Sequence, residues 1–207
     1  MKLTKQLFLK KIKTKLKKFR KFNALNQLDK KMLYYINYSD GFFIECGAND
    51  GVNQSNTWYF EKNLNWKGVL IEPLKDEFIE LKKNRSDKNY FYNVALSNSE
   101  NVNSLLMSNN GLESKILDKD ENKTRVIKYQ SKTLTMILDD VCAPKIIDFF
   151  SLDVEGYEDQ VLQGIDFKKY NFHFLLIETK KKKLFKYLNN KNYKFVKKIS
   201  HHDYLFK

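Results

Sequence analysis

Phe42-Phe43-Ile44-Glu45-Cys46-Gly47-Ala48-Asn49-Asp50-Gly51 opens as an apolar run, closes on one acid, and turns at once into a loop with glycines at 47 and 51. A helix-compatible segment, 54 to 64, follows. Strand, tight glycine turn and helix make the ligand-cradling unit of open α/β sheets, whose ligands sit beyond the carboxyl ends of the strands. Gly47 lets backbone approach a ligand where a Cβ would collide. The spacing is acid-x-Gly-x-x-x-Gly, not the G-x-G-x-x-G of dinucleotide sites. A pyrophosphate needs the closer glycines. A ligand with an amino-acid tail and no phosphate suits a nearby carboxylate such as Glu45.

Other apolar runs end the same way. Val69-Leu70-Ile71-Glu72 reads as a second buried strand, stopped by Pro73. In a βαβ unit an acid at that point accepts both ribose hydroxyls. Phe149 to Leu152 is a buried strand closed by Asp153, with Glu155 two residues on. In extended chain those two side chains point to one side. Two carboxylates there are costly unless a cation, a proton or a ligand lies between them. Gly156 breaks the strand, and 158 to 164 is a helix opened by acids, as its dipole prefers. Phe172 to Glu178 is a further strand closed by an acid, with His173 as a core histidine. Phe195 to Ser200 and Tyr204 to Phe206 read as an antiparallel pair with His201 and His202 at the turn.

The 207 residues suit one domain, and 14% aromatic content argues against disorder. No apolar run approaches the roughly 20 residues that span a bilayer, and lysines interrupt every few residues at the start, unlike a signal peptide. Cys46 and Cys142 follow no metal or redox spacing, so a reducing, cytoplasmic setting is expected. The net charge of +13 points towards nucleic acid, but its distribution does not. Residues 1–28 carry ten of the 38 Lys and Arg and no acid, so +3 remains for everything else.

Residues 1–38 form a separate basic segment and 39–207 the domain. Leu3, Leu7, Phe8, Ile12, Leu16, Phe19 and Phe22 have helical spacing, with lysines on the other faces. Such a helix suits an anionic lipid surface at the inner membrane face, an acidic partner, its own domain or a second copy. A second helix is expected over 28 to 36. The segment from Asn53 to Thr57, Ser55 and Asn56 included, holds short polar side chains that cap helices and line polar pockets. A helix over 75 to 84 and a third strand over 90 to 96 follow. Residues 97–130 are expected to be a lid or hairpin with a strand over 125 to 129. A short helix covers 134 to 141.

Phe43-Ile-Glu-Cys-Gly-Ala-Asn-Asp-Gly, Trp66-Lys-Gly-Val-Leu-Ile-Glu-Pro, Asn93-Val-Ala-Leu-Ser, Ser151-Leu-Asp-Val-Glu-Gly-Tyr-Glu with Val161-Leu-x-Gly behind it, and Leu176-Ile-Glu-Thr occur in that order. In these motifs the chain resembles the FkbM-type family of S-adenosylmethionine-dependent methyltransferases from about Asp40 to Glu178. Cys46 departs conservatively from the aliphatic residue often found there.

The resemblance implies an α/β, Rossmann-like class I methyltransferase fold: a seven-stranded, mostly parallel sheet with its last strand antiparallel and helices on both faces. It implies that Glu45, Gly47, Ala48, Asn49 and Asp50 face the methionine part of S-adenosyl-L-methionine. It implies that Glu72 and Pro73 meet the ribose, that Ala95 flanks adenine, and that Asp153 faces the sulfonium. Asp153 or Glu155 is then the base, acting directly or by holding a divalent metal. Ser55, Asn56, Tyr157 and Glu178 are placed on the acceptor side. The implied reaction is O-methylation of a hydroxyl, often on a sugar of a surface glycan. The alternatives are methylation of RNA or another polyanion, and a non-enzymatic protein that binds through its basic helix.

Overall fold

The computed structural model describes residues 22–108 and 126–207. The expected helix over 1–22, all but its last residue, and the centre of the 97–130 segment lie outside them.

A 3-10 turn (Leu25–Gln27) leads into helix α1 (Leu28–Met32), then strand β1 (Phe42–Cys46), helix α2 (Trp58–Leu64), β2 (Lys67–Ile71), α3 (Lys75–Asn84) and β3 (Tyr90–Tyr92). Short β4 (Ala95–Leu96), β5 (Ser104–Ser108) and β6 (Val126–Lys132) follow, then α4 (Leu134–Asp140), β7 (Ile146–Leu152), α5 (Glu158–Gln163), β8 (Asn171–Glu178), α6 (Lys183–Asn190), β9 (Phe195–Lys198) and β10 (Asp203–Phe206). Seven strands make the main sheet in the order β3-β2-β1-β7-β8-β10-β9. Every neighbouring pair is parallel except those of β10, which runs antiparallel to β8 and β9. The expected architecture is therefore present, with the last strand inserted beside β8.

Both faces of the sheet are covered, as parallel strands require. Along β1 the side chains alternate. Phe42, Ile44 and Cys46 join the core beneath α4, α5 and α6, with Leu134, Ile137, Leu162, Leu184 and Leu188. Phe43 points the other way, into the core beneath α1, α2 and α3, with Met32, Phe60 and Leu81. Local chemistry fixes the helix ends. Thr133 caps α4 by accepting from the Met136 N–H at 3.1 Å. Asp76 and Glu77 open α3 while Lys82 and Lys83 close it, matching its dipole.

Three boundaries differ from the sequence-based expectation. The helix expected over 28–36 stops at Met32, and residues 33–35 form a turn. Residues 54–57 stay out of α2: Gln54 bridges to Ala24, and polar groups of Ser55, Asn56 and Thr57 serve Glu45 instead. The third strand ends at Tyr92. Asn93 Nδ2 donates to the Glu72 and Pro73 carbonyls at 2.9 and 2.8 Å, and Ala95–Leu96 leaves to pair with β6. There β5 and β6 lie antiparallel. His173 is not a core histidine: strand alternation puts it outside, its side chain 53% exposed and 3.5 Å from Asp148.

Candidate functional site

Register builds the site. Cys46 on β1 pairs with Ile71 on β2 and Leu152 on β7, Leu152 pairs with Ile177 on β8, and Glu178 pairs with Asp203 on β10. The next residues, Gly47, Glu72, Asp153 and Glu178, therefore emerge at one level. They rim one open cleft together with Glu45, Ala48, Asn49, Ser55, Asn56, Pro73, Ala95, Glu155 and Asp203. The space between its walls is about 1260 Å³ with the open mouth included. Asp50 and Tyr157 are not among the lining residues. Asp50 instead accepts from the Val52 and Asn53 amides at 2.9 and 2.8 Å, shaping the loop. Tyr157 packs against the core under α5.

Gly47 is needed for a reason other than the one its spacing suggests. Its φ is +78°, and a Cβ would collide with the Asp153 carbonyl oxygen. The glycine lets β1 and β7 close on each other, and the Asp153 N–H donates to the Cys46 carbonyl at 3.2 Å. Asn49 and Glu155 also lie in the left-handed region, at φ 48° and 50°. The 153–155 stretch is thus not extended. Both carboxylates reach the cleft through a turn rather than through strand alternation.

Glu72 lies between two backbone donors, Asn49 N–H at 2.9 Å and Leu74 N–H at 2.8 Å. Burial outweighs those bonds, and with Glu77 nearby the carboxyl is pushed up to about 7. Asp153 is pushed well above the usual carboxylate range, first by burial and then by the charges of Glu178, Glu155, Asp203 and Glu158.

Glu45 is held differently. Its oxygens accept from the Asn56 N–H at 2.6 Å, the Thr57 hydroxyl at 2.6 Å, the Ser55 hydroxyl at 2.9 and 3.1 Å, and Arg85 Nη1 at 3.3 Å. Arg85, 4% exposed, also reaches Glu61 through Nε at 2.6 Å, and its guanidinium lies 5.3 Å from the Phe43 ring centre. Burial pushes Glu61 up, but Arg85, Lys62 and the Ser86 N–H more than reverse it, leaving the carboxyl below its ordinary value.

Sequence reasoning missed Arg85, and with it Asp203, Met107 and the Leu25 and Leu28 edge of the cleft. One signal for Arg85 was available. It is one of three arginines among 38 basic residues, in a chain that otherwise uses lysine.

The lining supplies the Glu72 carboxylate, the small residues Gly47, Ala48 and Ala95, and an apolar edge from Ile71, Leu74, Val94 and Leu96. That set fits a nucleoside with a polar tail. Among the described residues no group of three or more His, Cys, Asp or Glu is placed to hold a metal ion. The metal considered for Asp153 and Glu155 thus lacks a gathered ligand set there. No helix among the described residues is long and apolar enough to cross a membrane.

The strand order and glycine cradle define a Rossmann-like α/β fold of the methyltransferase type. The model of the methyltransferase FkbM domain matches residues 45–205, and the chain belongs to that family. It is similar in fold to a methyltransferase FkbM from Methylobacillus flagellatus KT, with a TM-score of 0.53 and 14% identity. That match covers 84% of this chain and 45% of the other, so the chain spans less than half of that neighbour's length. A precorrin-6y C5,15-methyltransferase from Geobacter metallireducens GS-15 matches with a TM-score of 0.49 and 10% identity over 90% of this chain and 89% of its own. No curated protein matches the chain in sequence.

Proposed function

We propose that this chain is an S-adenosylmethionine-dependent O-methyltransferase acting on a hydroxyl of a sugar or related small metabolite, and that it works in the cytoplasm. One observation carries the reading: the strand register delivers Gly47, Glu72 and Asp153 to one cleft. A nucleic-acid acceptor is disfavoured because, among the described residues, the lining holds six carboxylates and no Lys, Arg or His. A phosphate backbone needs basic groups at the pocket.

When bound, S-adenosylmethionine supplies a methyl group already activated by its sulfonium. Glu72 would hold the ribose hydroxyls, and Ala95 with its apolar neighbours would hold the base. What is left for the protein is to position the acceptor oxygen and to take its proton. Asp153 is built to hold a proton, through burial and the carboxylates around it. A positive charge brought beside it favours the ionised form. In that form Asp153, or Glu155 on the same rim, accepts the hydroxyl proton, an effect of roughly 10²–10⁴-fold.

Calorimetric titration with S-adenosylmethionine is the first test. Saturable binding is expected, and its absence would remove the reading. A turnover screen of free sugars against RNA then separates the acceptor classes, with transfer to sugar expected.

A further inference from the structure

We propose that Glu45 is a positioning residue, saturated by the protein's own donors, and that Arg85 is the cation that makes it one. The inference rests on the donor-pocket reading above and changes what the first acid of the cradle does. A carboxylate has about four lone-pair sites. Four donor groups already converge on Glu45: Asn56 N–H, the Ser55 and Thr57 hydroxyls, and Arg85 Nη1. Oε1 takes the Asn56 N–H and Oε2 takes both hydroxyls and Arg85 Nη1, so both oxygens are engaged by the protein before any ligand arrives.

The donors are themselves fixed. Ser55 Oγ accepts from the Trp58 N–H at 3.0 Å and from Arg85 Nη1 at 3.2 Å. Thr57 Oγ1 accepts from Arg85 Nη2 at 3.0 Å. Arg85 Nη1 also donates to the Gly51 carbonyl at 3.2 Å. The network joins the end of β1, the cradle loop, the start of α2 and the residue after α3. The same loop carries Asn49, whose N–H orients Glu72. Disturbing the network therefore alters how the pocket holds the whole nucleoside, not its amino-acid tail alone. Lysine cannot fully replace Arg85, because five different oxygens and an aromatic face are met by one planar fork.

Two ligands decide the matter: S-adenosylhomocysteine, and methylthioadenosine, which lacks the amino-acid tail. Titrations of the full chain are expected to show Glu45→Gln and Arg85→Met weakening both ligands by the same factor, about tenfold or more. Arg85→Lys is expected to restore only part of that. Ser55→Ala, which keeps the ion pairs, covers the case in which Arg85→Met does not fold, and it too is expected to weaken both ligands equally. If Glu45→Gln or Ser55→Ala weakens only S-adenosylhomocysteine, the acid meets the tail directly and the positioning role is overturned while the donor pocket stands. If the wild-type chain binds neither ligand, the donor-pocket reading fails, and this one with it.

Discussion

The two ends of the cleft are built on opposite electrostatic plans. At the β1 end Glu45 and Glu61 share the buried guanidinium of Arg85, and their oxygens meet hydroxyls and amides. At the β7 end Asp153 faces Glu178, Glu155, Asp203 and Glu158. The first arrangement is complete without a ligand. The second concentrates like charge, which burial makes more costly. On the proposed reading the contrast separates scaffold from chemistry: the settled end holds shape, and the frustrated end is where a cation and a proton have work to do.

The largest expected effect is on turnover. Glu155→Gln should cut the methyl-transfer rate by about 10²–10⁴-fold while calorimetric donor affinity stays close to wild type. A variant with unchanged rate removes Glu155 from the chemistry and weakens the contrast at once.

Stability comes next. Arg85→Met leaves the buried Glu45 without its cation and Glu61 with Lys62 alone, and should cost about 3–5 kcal/mol in urea unfolding. Asp153→Asn should do the reverse at pH 8. The folded-state pKa of Asp153 is raised, so its contribution is favourable in acid and is lost as pH rises through that value. The asparagine variant should melt higher than wild type at pH 8 and not in acid. Equal destabilisation by both variants would erase the distinction between the two ends.

A smaller effect belongs to Glu72. With its pKa near 7, the carboxylate form that is proposed to hold the ribose is depleted below neutrality. Donor affinity should fall roughly tenfold from its plateau by pH 6, and this dependence should vanish in Glu72→Gln. The smallest effect concerns Glu61. Its lowered pKa means that its support is present above the unfolded value and lost as pH falls through the folded one. The stability lost between neutral pH and acid should therefore be smaller in Glu61→Gln than in wild type.

The strand ends were legible because each apolar run closes on an acid, at Glu45, Glu72, Asp153 and Glu178, and parallel register then brings those ends together. What that pattern cannot carry is which carboxylate has a partner. Arg85 follows Lys82 and Lys83 at a helix end, where a basic residue is expected on dipole grounds alone. Only the fold turns it inward over Phe43. The break after Tyr92 escaped for a similar reason. Val94, Ala95 and Leu96 continue the apolar pattern, while the side chain of Asn93, anchored to two carbonyls, redirects the chain. Glu155 lines the cleft, but a left-handed turn rather than an extended strand delivers it there.

Strand β10 lies between β8 and β9 and contributes Asp203 to the cleft. During synthesis every other lining residue has left the ribosome before it. Until residues 203–206 arrive, β8 and β9 have no common neighbour and Leu205 and Phe206 leave gaps in both cores. A nascent chain can therefore assemble β3, β2, β1, β7 and β8 early, while the β10 side of the cleft stays open until residues 203–206 slide into their slot.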